Sequence, residues 1–220
     1  MKEKRIFNLC FDNKHIVFYC GASQDDIVQL VQLDRVVYEE EHLVPLSRIK
    51  SWNDKNNKIY CVAKEIESNK IIAYIGMFPL KERTFMDALR IDFDETKITP
   101  DDIDCYEKSK MYYLYINSVV VAPEYKSNFL IYKNIFACFF EFVVDLTQDD
   151  IFISDACGRA TSEEGIKQCK SFLRMQEVAN DDKSGLRIFH AKLFPVSMRL
   201  PFDVGKKIHK LYTEKYACMA

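Results

Sequence analysis

Of 220 residues, one is tryptophan, six are glycine, six are proline and four are histidine. So little glycine and proline excludes a collagenous, low-complexity or linker-rich chain. Long apolar runs are missing too. The longest stretch, Ile135 to Leu146, is interrupted by Glu141 and Asp145 and falls short of the roughly 20 residues that a membrane span needs. The opening MKEKRIFNLCFDNKH lacks the apolar run and cleavage site of a secretory signal, so a cytoplasmic protein is expected, with no membrane partner. Nor is there an excess of positive charge. The formal net charge is −2, which argues against nucleic acid as a partner. No two of the eight cysteines stand at CxxC spacing, and no histidine sits near one in a zinc-like pattern. The expectation is therefore no metal site and reduced, structural thiols.

What remains is a chain that is 48% hydrophobic and 29% charged, long enough for one domain with a sizeable core. The strand-like run His15 to Cys20 ends at Gly21, and Ser23-Gln24-Asp25-Asp26 opens a helix with a capping-box pattern. Ile27, Leu30, Val31, Val37 and Tyr38 give that helix one buried face. A second helix is predicted over Leu46 to Trp52. Lys58 to Ala63 and Ile71 to Phe78 read as a hairpin turning at Glu67-Ser68-Asn69-Lys70 and ended by Pro79. Tyr112 to Val121 is the strongest strand signal, stopped by Ala122-Pro123. Asn128 to Leu146 is then a helix apolar almost all round, as a buried helix is. Ile151 to Asp155 reads as a short buried strand and Thr161-Ser162-Glu163-Glu164 as a second capping box. Met175 to Ala179 and Leu186 to Phe194 form a hairpin, and residues 203–216 form a closing amphipathic helix.

Between Thr84 and Lys110 the composition shifts. Eight acids (Asp87, Asp92, Asp94, Glu95, Asp101, Asp102, Asp104, Glu107) face four bases (Arg90, Lys97, Lys108, Lys110), a local net of −4. Since the whole chain is −2, the remainder is +2 and the acidity is concentrated here. A stretch this long between strands reads as a flap or insertion.

This succession of elements, from about His15 to Phe194, resembles the GNAT N-acetyltransferase superfamily. The resemblance centres on Val119-Val120-Val121-Ala122-Pro123-Glu124-Tyr125-Lys126-Ser127-Asn128-Phe129-Leu130-Ile131. In that family a strand is followed by proline, then Arg or Gln, two residues, Gly, one residue, and Gly or Ala. Pro123 and the basic Lys126 match, while Phe129 and Ile131 stand where the glycines belong. The resemblance implies one GNAT-like α/β domain over residues 1–220, with a mixed, mostly antiparallel sheet and helices on both faces. The acidic insertion at about 84–110 and the helix at about 203–216 decorate it.

It also implies acetyl-CoA as co-substrate and an amine acceptor, small molecule or peptide, with the acyl group transferred directly. A homodimer is compatible with it. The cofactor pyrophosphate would meet Lys126, Ser127, Asn128 and the amides of Phe129, Leu130 and Ile131. Val119, Val120 and Val121 would line the thioester, with an amide near Val119 or Val120 at the oxyanion. Tyr115 falls at the family's frequent glutamate position, and Asn117 is the other polar side chain on that pleat. The thiolate's proton donor, often a tyrosine, falls at Lys170 or Ser171. The acidic insertion would favour cationic acceptors. The alternative, which the absent glycines and tyrosine favour, is a catalytically inactive GNAT-like binding or regulatory module.

Overall fold

The computed structural model describes residues 7–12, 14–193 and 202–216. The first strands and helices are β1 (Phe7–Phe11), β2 (Lys14–Cys20), α1 (Gln24–Val37), α2 (Leu46–Lys55), β3 (Tyr60–Glu65) and β4 (Lys70–Leu80). After them come α3 (Glu82–Ala88), β5 (Lys110–Val121), α4 (Phe129–Gln148) and β6 (Ile151–Ala160). The last are α5 (Glu163–Ser171), β7 (Gln176–Asp181), β8 (Leu186–Lys192) and α6 (Phe202–Tyr216). The strands form one sheet in the order β1-β2-β3-β4-β5-β6-β8-β7. Neighbours β1–β2, β2–β3, β3–β4, β6–β8 and β7–β8 run antiparallel, and β5–β6 runs parallel. This is the mixed, mostly antiparallel α/β sheet that the sequence predicts. Among the described residues no helix is long and apolar enough to cross a membrane.

Two compact units divide the chain, one of Met1–Met77 with Ser118–Phe139 and one of Phe78–Asn117 with Phe140–Ala220. In the first, the capping box forms as expected. The Asp26 amide donates to Ser23 Oγ at 3.1 Å and the Ser23 amide to Asp26 Oδ2 at 2.9 Å. Lys64 of β3 then donates to Asp26 Oδ1 at 2.8 Å, tying the start of α1 to the sheet. Ile27, Leu30, Val31 and Leu33 bury the inner face of α1, each burial contributing about 1.5–3 kcal/mol.

Near the end of α1, Asp34 accepts a hydrogen bond from the Tyr74 hydroxyl at 2.5 Å. Burial raises its pKa to about 6, although the Tyr74 bond acts to lower it. A carboxyl that holds its proton more tightly folded than unfolded weakens the fold as pH rises from about 4 to about 6. Asp34→Asn is therefore expected to stabilise the protein at pH 7 by about 1–2 kcal/mol, discounted for residual solvent contact, and to give no gain at pH 4 or below. Melting curves at the two pH values check this; equal effects at both would contradict the assignment.

Three expectations need correction. Pro79 does not end the hairpin: β4 runs on to Leu80, because the Pro79 carbonyl still accepts the Asp104 amide at 2.7 Å and only an N–H is missing. The cap of α5 is Ser162 rather than Thr161, its Oγ accepting the Gly165 amide at 3.1 Å. The cysteines are not all thiols. Cys20 and Cys61 face each other across β2 and β3 and form a disulfide, whose pairing comes from strand register rather than from sequence spacing.

In the second unit β6 is twice as long as expected, reaching Ala160 because β8 pairs with it as far as Ala160↔Arg187. Tyr212 of α6, fully buried, hooks onto β6 by accepting the Ile153 amide at 2.8 Å and donating to the Ile153 carbonyl at 2.9 Å. Phe194, at the end of the predicted hairpin, lies outside the described residues.

Candidate functional site

β5 is a central strand, yet Asn117, Ser118 and Val119 are only half-buried, while Val120, Val121 and Ala122 are buried. A 3-10 turn, Pro123–Tyr125, leads from β5 towards α4. Two side chains of this turn reach β2, β3 and β4. The Tyr125 hydroxyl donates to Glu65 Oε1 at 3.0 Å and accepts from Lys14 Nζ at 2.8 Å. Glu124 pairs with Lys70 at 2.8 Å.

The turn is largely closed on itself. The amides of Tyr125, Lys126 and Asn128 donate to the carbonyls of Ala122, Pro123 and Tyr125 at 2.8, 3.3 and 2.9 Å. Asn128 caps α4, its Oδ1 accepting the Leu130 amide at 2.9 Å and its carbonyl the Ile131 amide at 3.1 Å. Its own Nδ2 is buried without a partner.

The two residues at the family's glycine positions separate. Phe129 is 62% exposed and turns outward, whereas Ile131 is fully buried and belongs to the core. Lys126 and Ser127 are exposed beside them.

On the other half of β5, pleat alternation sets Tyr113, Tyr115 and Asn117 on one face. Tyr115 is fully buried and donates to Glu95 Oε2 at 2.5 Å. Desolvation, reinforced by the Glu95 charge, holds its phenol well above the usual range. It therefore acts as a neutral donor and not as a base. The carboxylate at its tip is the group that can take a proton, and it comes from the acidic insertion. Asn117 Oδ1 is buried without a partner.

Most other acids of the insertion are engaged locally. Asp92 pairs with Arg90 at 3.0 Å, Asp94 with Lys97 at 3.4 Å and Glu107 with Lys110 at 2.5 Å. Asp102 accepts from Thr99 and Thr84 at 2.7 and 2.8 Å.

The insertion is anchored by Arg159, near the end of β6. Its guanidinium donates to the carbonyls of Ala88, Arg90, Ile91 and Phe93 at 3.1, 2.5, 3.2 and 3.2 Å. It also lies over the Phe93 ring at 5.5 Å, and that ring meets Tyr115 edge-on at 6.0 Å. A planar fork of five donors suits such a cluster of carbonyls, and a lysine could not span it. Sequence reasoning missed Arg159 and underweighted Glu95, because neither carries a motif.

His190 of β8 has a carboxylate partner. Its Nε2 lies 2.9 Å from Asp155 Oδ1, since β8 register puts His190 opposite Cys157. Ser171 is exposed at the last residue of α5. The neighbouring Lys170 pairs with Glu177 at 3.0 Å, and Cys169 is buried with its thiol pushed up to about 12 by desolvation.

No protein-family model matches the sequence and no curated protein does. Solved structures do. The loading GNATL domain of CurA from Lyngbya majuscula aligns with TM-score 0.59 and 10% identity, over 80% of this chain and 97% of that one. A chain of the NatC complex bound to Gag peptide and CoA aligns with TM-score 0.53 and 9% identity, over 81% and 98%. Arabidopsis thaliana Naa50 in complex with the bisubstrate analogue CoA-Ac-MVNAL gives TM-score 0.51 and 10% identity, over 81% and 99%. At such identities the likeness is one of fold, and the fold of this chain is GNAT-like.

Proposed function

We propose that the protein is an acyl-CoA-dependent N-acyltransferase that passes an acetyl group directly from acetyl-CoA to a cationic primary amine. The observation that carries this is the GNAT-like fold together with its half-buried central strand segment 117–119, which leads straight into the loop at 122–128. Neighbours of the same fold have been solved with CoA and with a CoA bisubstrate analogue, which supports the cofactor class.

In this reading Lys126, Ser127 and the start of α4, from Asn128 through Phe129 and Leu130 to Ile131, face the pyrophosphate. The strand segment Val119, Val120 and Val121 runs beside the thioester. An amine attacks only as the free base, so its ammonium must first lose a proton, and the exposed Glu95 carboxylate is the base. Tyr115 holds that carboxylate in place, and the Asn117 carbonyl offers the amine an acceptor. The free amine adds to the thioester carbonyl, the tetrahedral oxyanion leans on a β5 amide, and its collapse expels the CoA thiolate, which takes up the second proton of the amine nitrogen and departs as the thiol. Ser171 is the donor proposed to hydrogen-bond that thiolate. The same Glu95 carboxylate then meets the acceptor's charge.

A second reading, a non-catalytic binding module of the same fold, draws on the closed loop. Asn128 already supplies the oxygen that an anion would bring to the helix start, and five amides of the turn are engaged internally. The experiment that separates the two is transfer of acetyl from acetyl-CoA to a panel of polyamines, aminoglycosides and N-terminal peptides, read by mass of the product amine. Acetylated product from cationic acceptors is expected. No product from any acceptor, with CoA binding intact, would leave the module. Lys126→Ala should weaken acetyl-CoA binding about tenfold or more without lowering the melting temperature, as loss of one charge-assisted bond does. Unchanged affinity would remove Lys126 from the site.

A further inference from the structure

Cys20 of β2, Cys61 of β3 and Cys138 of α4 bring their sulfurs within 4.8 Å of one another, although 118 and 41 residues separate Cys20 from its two partners. Cys138 Sγ stands 3.7 Å from Cys20 Sγ. Met77 of β4 adds a fourth sulfur, its Sδ 4.0 Å from Cys61 Sγ. Cys61 and Met77 are fully buried and Cys138 nearly so, while Cys20 is half-buried and leaves a way in. Among the described residues, no nitrogen or carboxylate belongs to the group.

We propose that, once the Cys20–Cys61 disulfide is reduced, these residues form a binding site for one Cu(I) ion. Three thiolates hold it, and the Met77 thioether stands as a weak fourth ligand. Two thiolates sharing one such cation at about 2.3 Å stand about 3.8–4 Å apart at tetrahedral to trigonal angles. The 3.7 Å between Cys20 and Cys138 is close to that edge. The donor set selects the ion: thiolate and thioether sulfur in an apolar setting favour soft Cu(I), which accepts two or three thiolates and sheds its water readily. Zinc takes four strong ligands in a closed site, and only three thiolates stand here.

The disulfide is the ion-free, oxidised form of the site. A dithiol reductant opens it by exchange, its own two sulfurs ending as a disulfide and Cys20 and Cys61 as thiols. Loading then releases three protons as the thiols give way to metal–sulfur bonds. None of these four residues is among those assigned to acyl transfer, and the proposal does not depend on that assignment. Cys138 is on α4, the helix that follows the loop at 122–128, so an occupied site would join three strands to it.

The test uses the full chain with exposed Cys10 and Cys105 changed to serine, reduced with dithiothreitol and desalted without oxygen. Cu(I) is then offered as its bicinchoninate complex. One Cu(I) per chain should be withdrawn from the chelator, and X-ray absorption should show sulfur neighbours alone, three of them at about 2.2–2.3 Å. Cys138→Ser should lower the affinity at least a hundredfold, and Met77→Leu less than tenfold. Failure of the reduced protein to take Cu(I) from bicinchoninate would overturn the proposal, as would nitrogen or oxygen in the first coordination sphere. Equal uptake by Cys138→Ser would do the same. The absorption spectrum of the Cys138-containing protein stands even if the serine variant does not fold.

Discussion

Glu95→Gln is expected to lower kcat/KM for acetyl transfer by about 10²–10⁴, the usual cost of removing a positioned base. The substitution keeps size and an acceptor for the Tyr115 hydroxyl, and Glu95 is exposed, so stability should change by no more than about 0.5 kcal/mol. Tyr115→Phe gives the complementary result. Without a phenol to favour the carboxylate over its protonated form, the acid limb of the pH–rate profile should move to higher pH. A purely structural Tyr115 would lower stability and leave the profile in place. If Glu95→Gln retains the full rate, the base lies elsewhere, and the His190–Asp155 pair is next to be tested.

Arg159→Ala is expected to be the most damaging single change to the insertion, costing about 2–3 kcal/mol. One charge-assisted hydrogen bond is worth about 1.5–3 kcal/mol, and the carbonyls that lose this donor are mostly able to turn to water. Ala88 is the exception, being buried, and its carbonyl loses a donor where water has poor access. Arg159→Lys should recover less than half, because an ammonium cannot bond four carbonyls spread over residues 88–93. Hydrogen exchange should quicken over residues 88–97 before it does in β6, and transfer activity should fall with it, since Glu95 is placed from the same segment. A variant that melts normally and keeps that protection would show the fork to be incidental.

The division between what the chain displays in sequence and what it hides follows the range of the interactions. Local signals carried through: Ser23 and Asp26 form their box, α4 is apolar round its circumference, and β5 lies where β-branched and aromatic residues cluster. β1 carries a weaker local signal, the alternation of Phe7, Leu9 and Phe11. The features that matter for chemistry are long-range and carry no motif. Glu95 meets Tyr115 across 20 positions and His190 meets Asp155 across 35, each by the register of separate strands and turns. Arg159 binds main-chain carbonyls, which every residue has, so no side-chain pattern marks its partners. The Cys20–Cys61 bond is a cross-strand pair fixed only once β2 and β3 align. Phe129 and Ile131 look alike in sequence but differ in fate, because α4 turns one outward and the other into the core.

The most direct measurement is calorimetric titration of acetyl-CoA into the full chain, followed by melting curves at saturating ligand. One saturable site is expected and, at a ligand concentration 100 times the dissociation constant, a gain of about 2.7 kcal/mol in stability. No heat of binding and no thermal shift at millimolar acetyl-CoA would contradict it.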